Sequence, residues 1–338
     1  MSRSARIPLS VLDLAPVLTG RDAADAFQRS RDLVQTAERL GYHRYWVAEH
    51  HNIPGVASAA TAVLIGHLAG ATSRIRVGAG GIMLPNHSPL VIAEQFGTLE
   101  SMYPRRIDLG LGRAPGSDQA TAMALRPERF RPENQFERLL QELQHYFAKP
   151  APHQAVQAVP GAGLDVPLWL LSSSGYSAKL AGQLGLPFAF ASQFAPAQML
   201  PALQLYRAAF VPSGVIPAPY AMVAINVIAA DTDAEAHRLA TSHQQSFLNL
   251  IRGQPGKLPP PTESMEGHWS FAERQAVEEM LSASIVGGPD TVRNKLAAFA
   301  ETTGADEIMI NTAIHDHAAR KRSYAITADA WSIPSAVA

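Results

Sequence analysis

The sequence contains no cysteine. That excludes disulfides, thiolate nucleophiles, iron–sulfur clusters and cysteine-ligated zinc. Charge is also sparse: 17% of residues are charged, against about 25% in ordinary soluble domains. The 28 basic and 29 acidic residues leave a net charge of −1. With no broad basic field, nucleic acid is not an expected partner. No run approaches the roughly 18 apolar residues that span a bilayer. The longest, Tyr220 to Ala230, carries Asn226 and stops at Asp231. The N-terminal stretch is broken by Pro8, Asp13 and Pro16 and has no small-residue cleavage site, so it does not read as a signal peptide. The expectation is a soluble, cytoplasmic protein with no membrane partner.

What the chain does have is apolar content. With 47% apolar residues over 338 positions, it can bury a large core and is not disordered. Eight apolar runs read as strands: Ile7–Leu12, Tyr45–Ala48, Ile75–Ile82, Ile107–Leu111, Leu168–Leu171, Phe188–Ala191, Met222–Ile228 and Ile308–Asn311. Several lack strict alternation, as strands covered on both faces should. Helical patterns lie between them, the clearest over Asp22–Leu40 with Gly41 as its stop signal. Eight β–α alternations point to a (β/α)8 TIM barrel. A doubly wound sheet would need a G-x-G-x-x-G turn after its first strand, and none follows Leu12. The chain reads as one domain over 1–338. It exceeds a minimal barrel of about 250 residues, and the excess is expected in insertions after strands 4 and 7, at about 113–166 and 252–288. The first is expected to hold one helix, from Asn134, among prolines that include Pro132.

Several strand ends carry residues suited to chemistry. The second runs into Glu49-His50-His51-Asn52. Neutral imidazole donates and accepts protons near pH 7, which suits acid–base work at a barrel rim. Alternation turns only one of His50 and His51 to the mouth; a polar cap is the other reading. The third strand ends Gly78-Ala79-Gly80-Gly81, so a bulge or the close approach of a backbone or ligand is expected. The fourth ends Gly110-Leu111-Gly112-Arg113. Small residues on adjacent tips leave room for a flat ligand, and Arg113 could pair with an anion. Tight barrel packing with a surface arginine explains the same residues. The fifth enters Ser172-Ser173-Ser174-Gly175-Tyr176-Ser177. Such a turn opening a helix offers N–H groups and hydroxyls to a phosphate, whereas N-capping needs one serine. His315-Asp316-His317 lacks a third convergent ligand, so no metal site is expected. His237 and His243 are expected in solvent.

Taken in order, YHRYWVAEHHN, VGAGGIMLPNHSPLVIAEQFGTLESMYPRRIDLGLGRAPGSD and LWLLSSSGYSAKLAGQLGLPFAFAS resemble the bacterial-luciferase-like flavin-dependent oxidoreductases. The resemblance runs from about Leu9 to about Asp329, and it is specific for the family but not for a substrate. It implies FMN as cofactor, delivered reduced by a separate reductase, with O2 and a small, partly apolar organic molecule as co-substrates. It implies a homodimer through early helices such as Ser58–Ala69. By the same resemblance, His50 matches the catalytic histidine, and Gly80–Gly81 falls where the family has a non-prolyl cis peptide beneath the flavin ring. Arg113 lies near the flavin phosphate, and Ser173, Ser174, Gly175, Tyr176 and Ser177 form the turn that cradles it. Gly112 stands where luciferases carry a reactive cysteine, and Ser173 where they carry a glutamate, which weakens the expectation of light emission. Competing readings are an F420-dependent hydride transferase and a non-catalytic flavin-binding protein. The segment Arg252–Gly288 is a candidate lid.

Overall fold

The computed structural model of the chain describes residues 7–114, 116–127 and 135–333. Pro132 and Asn134, which belong to the first expected insertion, lie outside the described residues. The strands are β1 (Leu9–Asp13), β2 (Arg44–Val47), β3 (Arg76–Met83), β4 (Ile107–Gly112), β5 (Leu168–Ser172), β6 (Phe188–Phe190), β7 (Ala221–Ala229), β8 (Ile285–Gly287) and β9 (Glu307–Asn311). Each of β1 to β6 pairs in parallel with the next, β6 pairs with β7, β7 with β9, and β9 with β1. The result is a closed eight-stranded parallel barrel with flanking helices, the expected TIM barrel. The sequence reading missed β8, which pairs with Val227 to Ala229 outside the ring. Three residues are too few to show a period.

The helices are α1 (Ala23–Arg39), α2 (Thr61–Ala69), α3 (Pro89–Met102), α4 (Gln119–Leu125), α5 (Phe136–Phe147), α6 (Gly175–Leu184), α7 (Met199–Ala209), α8 (Asp233–Ile251), α9 (Phe271–Met280), α10 (Pro289–Thr303) and α11 (His317–Trp331). The segment after β4 holds two helices, α4 and α5, where one was expected. Between β7 and α10 stand α8, α9 and β8. Leu258 in this segment exchanges backbone hydrogen bonds of 2.9 Å with Val17 and Thr19, which docks it on the loop after β1. His243 corrects an expectation: it is buried in α8, edge-on to Phe247 at 4.8 Å, and burial pushes its pKa down to about 4. Among the described residues, no helix is long and apolar enough to cross a membrane.

Alternation along each strand builds two cores. Val11, Tyr45, Val47, Val77 and Ile107 join the layer between barrel and helices, whereas Leu12, Trp46, Trp169, Met222 and Met309 fill the lumen. Below this aromatic plug the lumen is ionic. Arg44 reaches Asp108 at 2.7 Å and Glu307 at 2.8 Å, and Arg76 reaches Asp108 at 2.5 Å. Arg44 also stacks 4.8 Å over Trp169. This floor closes the N-terminal end of the barrel and leaves the strand C-termini as the open mouth. Outside the ring, buried Asp13 gathers Ser30 Oγ at 2.5 Å, Tyr45 OH at 2.6 Å and Arg320 Nη2 at 2.9 Å, tying α1 and α11 to β1 and β2.

Candidate functional site

At the mouth, β2 hands over to Glu49, which is buried. Its carboxylate is an acceptor hub. Nε2 of His51 lies 2.8 Å from Oε1, Nε2 of His87 lies 3.0 Å from both oxygens, Asn86 donates to Oε1 at 3.1 Å, and the Met83 N–H donates to Oε2 at 3.0 Å. Burial pushes the acid up, but the bonds from His51 and His87 outweigh it and hold its pKa at about 2. The donor atoms of Glu49, His51 and His87 lie within 4.8 Å of one another, close enough for a metal ion. Hydrogen bonding accounts for the cluster without one, because both oxygens are occupied by N–H donors.

The Glu49 carboxyl is more acidic folded than its ordinary 4.5. Its stabilisation is therefore fully present above that value and is lost as pH falls toward 2. Glu49→Gln is expected to cost about 3 kcal/mol at pH 7. It should also flatten the acid limb of stability between pH 4.5 and 2. Urea unfolding of both proteins across that range checks it.

His50 differs from His51. It continues the parity of Trp46 and Ala48, both in the lumen. Its Nδ1 lies 3.3 Å from the Gly116 carbonyl, which can only accept, so Nδ1 carries the hydrogen and Nε2 keeps its lone pair. Burial lowers the pKa of His50, despite the Gly116 bond and the Glu49 charge, so the ring is neutral at pH 7. Gly116 approaches this closely because its φ is +64°; a Cβ there would lie 3.0 Å from the Glu49 carbonyl. The structure thus separates the two histidines: His51 braces the hub, and His50 has an uncommitted Nε2.

Adjacent strands β4 and β5 bring the expected anion residues together. Arg113 stands 4.1 Å above the Tyr176 ring, a cation–π stack. Ser174 is the N-cap residue of α6, yet its hydroxyl caps no helical N–H. Ser172 Oγ instead accepts from the Ser174 N–H at 2.9 Å and donates to the Ser174 carbonyl at 2.8 Å. Asp22, Asp118, Thr232, Ser270 and Asp316 cap their helices, whereas α2, α3, α5, α7 and α10 also start without a side-chain cap, α3 despite Ser88 at its N-cap, so what sets α6 apart is the arginine beside it. The first amides of α6 lack a side-chain cap at the place where serines and an arginine meet. Backbone amides, hydroxyls and a guanidinium are donors of the kind an anion accepts from. Ser173 and Tyr176 are exposed, Ser174 and Gly175 half-buried, and Ser177 buried.

The glycine tips say less. The Gly80–Gly81 peptide is cis, and the β3–β4 register shifts between Ala79 and Ile82. A Cβ at Gly81 would lie 2.7 Å from the Gly110 carbonyl, and one at Gly80 would lie 3.0 Å from the Trp46 ring. Close packing within the barrel accounts for both glycines.

The luciferase-like monooxygenase family model matches residues 7–307. The chain belongs to the luciferase-like monooxygenase family. It is 55% identical to a luciferase-like monooxygenase of Escherichia coli K12, over 96% of both chains. It is 33% identical to the N-acetyl-S-alkylcysteine monooxygenase of Bacillus subtilis, over 96% of this chain and 98% of the other. The solved structure of apo-MsnO8 is 38% identical and superposes with a TM-score of 0.89 over 97% of this chain and 99% of its own. Two more distant structures share the fold: an FMN complex of the oxygenating constituent of 3,6-diketocamphane monooxygenase from Pseudomonas putida (TM-score 0.74, 19% identity, 96% of this chain and 97% of that one), and an F420-dependent secondary alcohol dehydrogenase (0.68, 14%, 97% and 99%).

The inner wall formed by β7 and β9 is polar. Asn311 on β9 donates to Asn226 on β7 at 2.8 Å, and Asn226 donates to the Gln193 carbonyl at 2.9 Å and to Ser284 at 3.2 Å. The sequence reading registered Asn226 only as a break in an apolar run. Two asparagines at inward positions of neighbouring strands were the available signal. Asn86 and His87 were also missed, because they reach Glu49 from 37 and 38 residues away.

Proposed function

We propose that this luciferase-like monooxygenase holds FMN with its phosphate at Ser173–Ser177 and Arg113 and its ring over the tips of β3 and β4, around Gly80 and Gly81. Its co-substrates are then reduced FMN, delivered by a separate reductase, and O2. The observation that carries this reading is the uncapped start of α6 beside the Arg113–Tyr176 stack. Bound reduced flavin supplies two electrons to O2, so that one oxygen atom enters the substrate and the other leaves as water.

The chain's own residues orient, exclude water and move protons. Arg113 and the α6 amides neutralise the phosphate. Nε2 of His50 takes a proton from, or returns it to, the reacting centre. The Glu49 hub fixes the segment on either side of His50. The docked segment around Leu258 shields the mouth near β1. The substrate is a small, partly apolar organic molecule. Thioethers are the first class to screen, given the similarity to an N-acetyl-S-alkylcysteine monooxygenase.

The protein acts in the cytoplasm as a homodimer. Val63 on α2 and Val91 and Met102 on α3 are exposed and apolar, which suits a helix-to-helix interface. A sedimentation mass of one chain, 36.3 kDa, would remove the dimer. The function is tested with 18O2, a flavin reductase, FMN and a thioether panel. One labelled oxygen is expected in the product, only when FMN and the reductase are both present. Flavin reoxidation with no labelled product from any compound would favour a flavin-binding role.

A further inference from the structure

The same barrel fold serves FMN in one neighbour and F420 in another, so the fold cannot choose between them. The choice must lie where the two ligands differ. FMN ends in a phosphomonoester. In F420 the corresponding phosphate is esterified again and carries an anionic oligoglutamate tail, and in FAD it is joined by an anhydride bond to adenylate.

The phosphate end of the site has an outer wall in which Tyr176 meets Glu137. The Tyr176 hydroxyl donates to the carboxylate of Glu137, in the first turn of α5. The ring of the same tyrosine carries Arg113 on its face. One side chain thus joins the β4 tip, the start of α6 and the segment inserted after β4. Beyond it, on the outer side of α6, lies a groove of about 430 Å³ lined by Glu137, Tyr176, Lys179, Gln183 and Leu205. A tail leaving a phosphate at Ser173–Ser177 on this side would have to pass Tyr176 and lie in that groove. There it would meet the Glu137 carboxylate, which offsets the attraction of Lys179.

We infer that the Tyr176–Glu137 pair selects the cofactor, closing the site behind a phosphomonoester and turning away flavins whose phosphate bears a tail. This rests on the phosphate reading given under Proposed function. Glu137 acts here through Tyr176 and through its charge, as a selectivity residue that touches the tail and not the reacting atoms. Removing it opens the groove and leaves Lys179 as its charged group, which favours an oligoglutamate tail.

The test is a fluorescence titration of the full chain and its Glu137→Ala and Tyr176→Phe variants with FMN, FAD, oxidised F420 and riboflavin. The wild type is expected to hold FMN at least about tenfold tighter than FAD or F420. Glu137→Ala should narrow the FMN-to-F420 gap about tenfold, chiefly by tightening F420. Tyr176→Phe keeps the ring under Arg113 but breaks the bond to Glu137, and should narrow the gap in the same direction. Riboflavin affinity should not move in either variant. A wild type that binds F420 or FAD as tightly as FMN overturns the inference, as does an unchanged gap in both variants. A wild type that binds riboflavin as tightly as FMN defeats the phosphate reading itself, a separate failure.

Discussion

Replacing His50 with alanine is expected to lower substrate oxygenation by about 10²–10⁴-fold, with flavin binding nearly unchanged. The size follows from what the ring offers. Its Nδ1–H is tied to Gly116 and its Nε2 is free, so one tautomer is held with its lone pair uncommitted. Burial keeps the ring neutral at pH 7. In the wild type, kcat/KM should fall on the acid side as Nε2 takes up a proton, below the ordinary histidine value of 6.5. That limb should be absent from His50→Ala. Oxygen uptake, product and hydrogen peroxide are measured together across pH. Unchanged turnover with unchanged peroxide release would remove His50 from the chemistry. His51→Ala is a contrast, since His51 braces Glu49 and should reduce stability as well as rate.

Asp13→Ala is expected to destabilise the fold by about 3–5 kcal/mol. Asp13 is wholly buried, and so is Arg320, which it pairs at 2.9 Å. Removing the carboxylate strands a guanidinium inside the protein and leaves the Ser30 and Tyr45 hydroxyls without their acceptor. Burial raises the Asp13 pKa, but the Arg320 charge and the hydroxyl bonds more than reverse this and hold it below 3.8. The pair's contribution is therefore present at neutral pH and lost as the acid protonates, below the ordinary range. A lowered urea midpoint with an unchanged slope would show the loss. Asp13→Leu with Arg320→Met should recover a large part of it, because two apolar groups leave no buried charge. A single variant as stable as the wild type would show that the pair does not clamp α1 and α11.

Why some of this was legible in the sequence and some was not has a physical basis. The barrel strands are apolar runs bounded by polar residues, and that pattern is local; so are the glycines at the β3 tip, whose register shift falls between Ala79 and Ile82. The serine turn also reads locally, since three consecutive serines before a helix exceed any capping need. Arg113 and Tyr176 could be brought together only by the resemblance or by the fold, being 63 positions apart. The Glu49 hub, the Asp13–Arg320 clamp and the Arg44–Asp108–Glu307 floor depend on contacts between distant strands and helices. Each is a charged residue that a local pattern assigns to a strand end or a solvated helix face. The Tyr176–Glu137 contact depends on how an insertion folds back, which no periodicity reports. Histidines mislead for the same reason: His243 sits in a polar-looking stretch of α8 yet is buried against Phe247.

The most direct test of the phosphate site at the start of α6 is the affinity of the wild type and Arg113→Met for FMN and riboflavin, measured by flavin fluorescence. The wild type should prefer FMN by about 100-fold, or ~2.7 kcal/mol. Arg113→Met should cut that preference about tenfold while riboflavin affinity stays the same. Equal affinity of the wild type for FMN and riboflavin would contradict the site.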